Sequence, residues 1–340
     1  MYSWDDDISD WYNPSAYEFD ETTKDERAKE AAKAKAAGPR TYATKKQPEL
    51  ALVDPKKHLR SDSPNPVLVA VDVTGSMQSW PAKIFDRLPL LYNTLAQYRS
   101  DLEVCFAAIG DAAADRYPLQ VTSFAKGYDL EKQLGALYGE GGGGDAPESY
   151  GLFAHFVDTH VEAPNARKPW LIVFGDAPMH DHVPASQIGY YLGDSVPADV
   201  DAIKAWQSVA ERWNVWFLRR PGGQPRDAID VQWGRAVGTQ KIVHIDDEER
   251  AVDYAMGLIA RAWGHFGDFQ DNMRARQPDE RVDAVSKKIE AALKAKPSEL
   301  PPPPPPETAT LSCHACGHLF EASDPRDKQM CPKCGATVEV

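Results

Sequence analysis

Val67-Leu68-Val69-Ala70-Val71-Asp72-Val73-Thr74-Gly75-Ser76-Met77 is the stretch whose reading decides the fold. An unbroken apolar run of strand length fits a strand covered on both faces, as in a parallel sheet wrapped by helices. The run ends directly in an aspartate, and hydroxyl residues follow two and four positions later. Three hard oxygen groups thereby share one tight turn at the carboxyl end of a buried strand. Oxygen donors suit Mg²⁺, Mn²⁺ or Ca²⁺ and not a soft metal.

Outward from this turn, strand and helix patterns alternate over about residues 65–266. Residues 81–99 show helical spacing through Ile84, Phe85, Leu88, Leu91, Leu95 and Tyr98, with Pro89 expected to bend or divide the helix. Strands are expected at 102–109, 119–124, 170–174, 215–218 and 241–245. Helices are expected at 129–138, 147–161, 200–213 and 248–263. This alternation predicts an α/β fold, a doubly wound and mostly parallel sheet.

In such a sheet, ligands bind outside the carboxyl ends of the strands, near the switch in strand order. Three segments end there with oxygen-bearing side chains: Asp72, Thr74 and Ser76; then Gly141-Gly142-Gly143-Gly144-Asp145-Ala146-Pro147-Glu148; then Asp176, after the apolar run at 170–174. The middle segment also reads as a capping box, with Asp145 as N-cap, Pro147 inside the first turn and Glu148 reaching back. Both readings of Asp145 stand at this level.

The three segments, in this order, resemble the metal-ion-dependent adhesion site of von Willebrand factor A (vWA) domains, whose first segment is D-x-[ST]-x-S. The resemblance covers residues 64–266 and implies a Rossmann-like sheet with a divalent cation, Mg²⁺ or else Mn²⁺ or Ca²⁺. It implies that Thr74 and Ser76 ligate the cation directly, and that Asp72 and Asp176 hold it mainly through ordered water. In that family the metal does no chemistry; it awaits a partner's carboxylate. The family's second loop usually brings a threonine, whereas Asp145 stands here, in a G-G-G-D-x-P-E pattern seen in many bacterial members. The extra carboxylate favours a cation and works against capture of an acidic partner.

Close behind Asp176 lie His180, Asp181 and His182. Two histidines near a metal turn suggest a general base, but in an extended segment they face opposite ways, so a polar surface loop is expected.

Cys313-His-Ala-Cys316-Gly317 and Cys331-Pro-Lys-Cys334-Gly335 are two C-x₂-C knuckles with fourteen residues between them. Four thiolates so spaced match a closed, structural Zn²⁺ site, and residues 309–340 resemble a zinc ribbon. Arg326, Lys328 and Lys333 are outweighed there by Glu321, Asp324, Asp327 and Glu339, so protein docking is expected rather than nucleic acid. Residues 267–308, a charged helix and then Pro301 to Pro306, read as a linker ending in a stiff spacer.

Residues 1–63 are expected to be largely disordered. Asp5, Asp6, Asp7, Asp10, Glu18, Asp20 and Glu21 are interleaved with Trp4, Trp11, Tyr12, Tyr17 and Phe19, which reads either as a solvated tail or as a docking peptide. A marginal helix is expected at 23–37, and the aspartate cluster raises the hypothesis that the tail occupies its own metal site.

A net charge of −13 argues against broad binding to nucleic acid or anionic membrane. No apolar run spans a bilayer and no signal pattern opens the chain, so a soluble, cytoplasmic protein is expected. Paired cysteines read as metal ligands there, and Cys105, in an apolar run, as a core thiol. The leading expectation is a metal-dependent protein-binding adaptor without enzymatic activity. By analogy with intracellular bacterial vWA proteins, its partner would be an AAA-type ATPase or a kinase/phosphatase system. The alternatives are a metal-assisted hydrolase using His180 or His182, and a nucleic-acid-binding ribbon.

Overall fold

The central strand β1 (Pro66–Asp72) is buried at every position. Beside it run β2 (Glu103–Ile109), β3 (Leu119–Val121), β4 (Trp170–Gly175), β5 (Asn214–Arg219) and β6 (Ile242–His244). The order across the sheet is β6-β5-β4-β1-β2-β3, parallel throughout except that β3 runs antiparallel to β2. A computed structural model describes residues 47–142, 147–220, 227–300, 310–316, 318–321, 329–330, 333–334 and 336–338.

The period-2 alternation of β1 sorts its side chains into two cores. Val67, Val69 and Val71 enter one layer, Leu68 and Ala70 the other. The first layer is closed by α1 (Trp80–Tyr98) and α2 (Asp129–Ala136), the second by α3 (Tyr150–His160), α4 (Ala202–Arg212) and α5 (Ala228–Val237). Then α6 (Ala251–Trp263), α7 (Phe266–Arg274) and α8 (Asp279–Lys294) return to the first layer. The doubly wound α/β architecture expected from the sequence is therefore present.

Several expectations change. Pro89 lies inside α1 without dividing it. A proline in a helix interior costs about 3 kcal/mol, but Leu88, Leu90 and Leu91 around it are buried, each worth roughly 1.5–3 kcal/mol. Residues 47–63 are ordered onto the core instead of belonging to a tail. A short helix (Leu50–Val53) buries Val53, and Leu59–Arg60 pairs in parallel with Val161–Glu162. Residues 1–46, with the acidic-aromatic segment and the helix expected at 23–37, lie outside the described residues.

Helix α8 also joins the core. Val282, Val285 and Ile289, spaced three and four apart, are buried in the layer that holds α1 and α6. The first compact unit runs to Ser298, so the boundary placed at 266 falls inside it. The second unit, Glu299–Val340, contains two antiparallel strand pairs: Thr310–Ser312 with Leu319–Glu321, and Gln329–Met330 with Thr337–Val338. Among the described residues, no helix is long and apolar enough to cross a membrane.

Candidate metal centre

Strand order reverses between β1 and β4, so the loops leaving their carboxyl ends diverge and open a crevice. Asp72 closes β1, and Asp176 follows Gly175, the last residue of β4. Ser76 lies between them on a single 3-10 turn, Gly75–Met77.

These groups form one continuous chain of oxygens. Asp72 is fully buried, and its Oδ1 accepts from the backbone N of Thr74 at 2.9 Å and from Thr74 Oγ1 at 2.6 Å. Thr74 Oγ1 lies 3.3 Å from Ser76 Oγ, which donates to Asp176 Oδ1 at 2.8 Å. The other Asp72 oxygen, Oδ2, accepts from the hydroxyl of Tyr150, at the start of α3. Tyr150 reaches it because residue 175 is glycine, where a Cβ would lie 2.2 Å from that hydroxyl. Burial pushes the Asp72 carboxyl up to about 6, against the pull of hydrogen bonds from Thr74 and Tyr150, and nearby Asp176 pushes the same way.

Glu148 belongs to this rim and not to a capping box. Helix α3 begins at Tyr150, with Ser149 as N-cap. The Glu148 backbone pairs instead with the segment behind Asp176: its N donates to Pro178 O at 2.9 Å, and its carbonyl accepts from His180 N at 3.3 Å. The side chain is turned inward, with Oε2 buried and without a hydrogen-bond partner. Its carboxyl is raised to about 9, first by burial and then by Asp72, while a contact with Thr74 opposes the shift and Asp111 and Asp115 add to it. Asp145 lies outside the described residues.

Behind Glu148 stands a second acidic layer that sequence reasoning missed. Asp111, fully buried after β2, accepts from Ala113 N at 3.1 Å and from His180 Nε2 at 3.0 Å, both at Oδ1. Asp115 Oδ2 accepts from Asp111 N at 2.8 Å. Gly142 lies so close to Asp115 that a Cβ there would sit 1.6 Å from its Oδ1, and Gly142 O accepts from Gly75 N at 2.6 Å. Gly142 thus lets its segment lie against both the turn at 72–76 and Asp115. A signal for Asp111 was present: β1, β2 and β4 each end at an aspartate or one short of a Gly-Asp or Asp step.

His180 is therefore tied to a buried carboxylate and is not a free loop residue. His182 lies on a short strand, His182–Val183, paired with Val200–Asp201. The segment that follows starts near the acidic layer, where burial first, then Tyr190, and then Asp111 and Asp115 raise the Tyr191 phenol. It then descends to the far end of α3, where Asp194 Oδ2 lies 2.8 Å from His160 Nε2.

Arg220 closes the other side of the rim. Its backbone N donates to Gly175 O at 3.0 Å. Its guanidinium donates to Glu248 Oε1 at 2.9 Å, to Gln78 Oε1 at 3.2 Å and to the Ser76 carbonyl, with Asp176 Oδ2 at 3.6 Å.

The donor set fits a hard divalent cation, since it offers carboxylate and hydroxyl oxygens alone. The largest charge effects on Asp72 and Glu148 come from other carboxylates, and the orphaned Glu148 oxygen leaves a further acceptor for a cation. In the second unit, Cys313, Cys316 and Cys334 bring their sulfurs within 4.8 Å of one another. Cys313 Sγ and Cys334 Sγ are 3.5 Å apart, near the roughly 3.8 Å implied by tetrahedral Zn–S bonds of about 2.3 Å. Cys331 lies outside the described residues.

No protein-family model and no curated protein matches this sequence. Among solved structures, the chain is similar to proximal thread matrix protein 1 from the mussel byssus, at 10% identity and TM-score 0.42, over 59% of this chain and 49% of that one. It is similar to the pilus adhesin SpaC from Lactobacillus rhamnosus GG, at 12% identity and TM-score 0.43, over 61% of this chain and 31% of that one. The SpRpn10 VWA domain is similar at 12% identity and TM-score 0.37, over 56% of this chain and 94% of that one. The chain thus matches half or less of the first two proteins' lengths.

Proposed function

We propose that this chain is a metal-dependent protein-binding adaptor built on a vWA-type domain, and not an enzyme. The observation that supports this most is the oxygen chain Asp72–Thr74–Ser76–Asp176 across the switch point of the sheet. Those residues, with Glu148 and the loop residue Asp145, would hold Mg²⁺, Mn²⁺ or Ca²⁺. The cation would supply an exposed positive charge for a partner's carboxylate. Cys313, Cys316, Cys331 and Cys334 would hold Zn²⁺ as a structural staple, leaving that unit's surface for a second protein contact. An AAA-type ATPase or a kinase/phosphatase system is the partner class suggested by analogy, and the cysteine pairs favour a reducing, cytoplasmic setting.

The test is affinity capture from native extract in Mg²⁺, comparing wild type, Asp72→Asn and wild type in EDTA with a brief wash. Loss of the same partner from both altered samples is expected. Unchanged partners would sink the adhesive reading. A hydrolase reading draws on one observation, the 3.0 Å contact between His180 and buried Asp111. It requires turnover that disappears in His180→Ala while Mn²⁺ still binds.

A further inference from the structure

The rim poses an electrostatic problem for the adhesive reading. Asp72 and Asp176 lie at the two ends of one chain of oxygens, and an acidic group approaching a cation held there would meet both carboxyl groups. A second positive group on the partner's side would relieve it. Arg220 stands where such a group is needed.

Arg220 is fixed from behind. Glu248 Oε1 takes its Nε at 2.9 Å, and Glu248 is itself held by Lys83 Nζ at 3.3 Å and, through its carbonyl, by Trp80 Nε1 at 3.1 Å. Nη1 reaches the Ser76 carbonyl and lies 3.6 Å from Asp176 Oδ2. Ser76 therefore links the guanidinium to the metal turn, because its Oγ belongs to the oxygen chain. The outer Nη2 is capped by Gln78 Oε1 at 3.2 Å.

Gln78 is an unusual cap. It is exposed, and it is the one non-glycine with positive φ among the described residues, at 51°. Such backbone strain concentrates where a segment switches or clamps. A neutral amide on an arginine also makes a weaker bond than a carboxylate, which is charge-assisted and matches the planar guanidinium.

We infer that Arg220 is the second anchor for the partner, taking an acidic side chain in the place now filled by the Gln78 amide. The inference rests on the metal-dependent adhesion proposed above and deepens it. The partner segment would carry an Asp or Glu, with the cation and Arg220 sharing its carboxylate or taking two neighbouring ones. Gln78 is a placeholder that the partner displaces.

The test uses the full chain and peptides selected on it from a random phage-displayed library in Mn²⁺, with affinities from calorimetry. Selected peptides are expected to carry an acidic residue, and binding is expected to vanish in EDTA. Arg220→Gln should weaken binding at least about tenfold, the worth of one charge-assisted hydrogen bond, with Arg220→Lys recovering part of the loss. Gln78→Ala should tighten binding about two- to fivefold. In a double-mutant cycle, changing the peptide's acidic residue to its amide should remove most of the effect of Arg220→Gln. Additive losses, or a Gln78→Ala variant that binds more weakly, would reduce Arg220 to a structural brace and overturn the inference alone. Peptides that bind equally in EDTA, or that lack acidic residues, would overturn the adhesive reading and this inference with it.

Discussion

The rim of the sheet gathers carboxylate and hydroxyl oxygens and the cysteine unit gathers sulfurs, but by opposite routes. At the rim, Asp72 and Asp176 hang from strands whose neighbours Ala70, Val71, Val173 and Phe174 are fully buried. Hydrogen bonds from Thr74, Tyr150 and Ser76 orient them within the protein itself. In the cysteine unit, the buried apolar cluster among the described residues is Cys313 and Val338, with Ala336 beside it. On the proposed function, zinc would supply most of the folding energy of a unit this short. At the rim the fold orders the oxygen groups; in the cysteine unit, on the proposed function, a metal would order the fold.

The largest effect should come from the zinc proposed for the cysteine unit. Structural Zn²⁺ contributes about 10–16 kcal/mol of apparent binding energy in small zinc modules, so a strong chelator, or Cys334→Ser, should collapse the amide NMR dispersion of residues 299–340. The unit ending at Ser298 should keep its melting temperature. A cysteine unit that stays folded without metal would break the comparison.

Next comes the pH response of the metal-free rim. The Asp72 and Glu148 carboxyls are raised in the folded state to about 6 and about 9, mainly by burial. The folded protein therefore keeps protons that the unfolded chain releases near pH 4, so stability should fall as pH rises from about 4 toward 9. Mg²⁺ should offset the fall, and increasingly so at higher pH, because a cation binds the deprotonated oxygens. Chemical denaturation across this range, with Mg²⁺ or EDTA, measures both slopes; a flat metal-free profile would mean that these carboxyls are not buried.

Asp72→Asn should then weaken Mn²⁺ binding about 10- to 100-fold, the range for residues that support a metal through an outer layer. The metal-free protein should still melt within a few degrees of wild type, because the sheet and not the cation holds the rim. The smallest effect is expected from Tyr150→Phe, which deletes one hydrogen bond to Asp72 and should cost about 1 kcal/mol by urea titration. A much larger loss would show that the rim is less independent of its parts than the comparison holds.

Much of this was legible in order along the chain. The apolar run at 67–71 announced a strand buried on both faces, and the oxygen residues that follow it needed no tertiary information to be grouped. Glu148 was legible as a residue but not in its role, since Asp145 to Glu148 satisfies a local capping pattern that competes with the observed pairing to residues 178–180. Arg220 carried no local signal, because its partners Gln78, Asp176 and Glu248 are distant in sequence. Helix α8 looked like a linker because its many charged residues hid three buried apolar positions, Val282, Val285 and Ile289.

By itself, then, the sequence determined the alternation of strands and helices, the turn at 72–76 and the cysteine spacing, because each depends on backbone periodicity or contacts a few residues apart. Tertiary structure alone decided that Tyr150 meets Asp72, that Glu148 turns inward, that His180 serves Asp111 and that Arg220 spans the rim. Those contacts join loops that only strand order brings together, and strand order is set by how both faces of the sheet are covered at once.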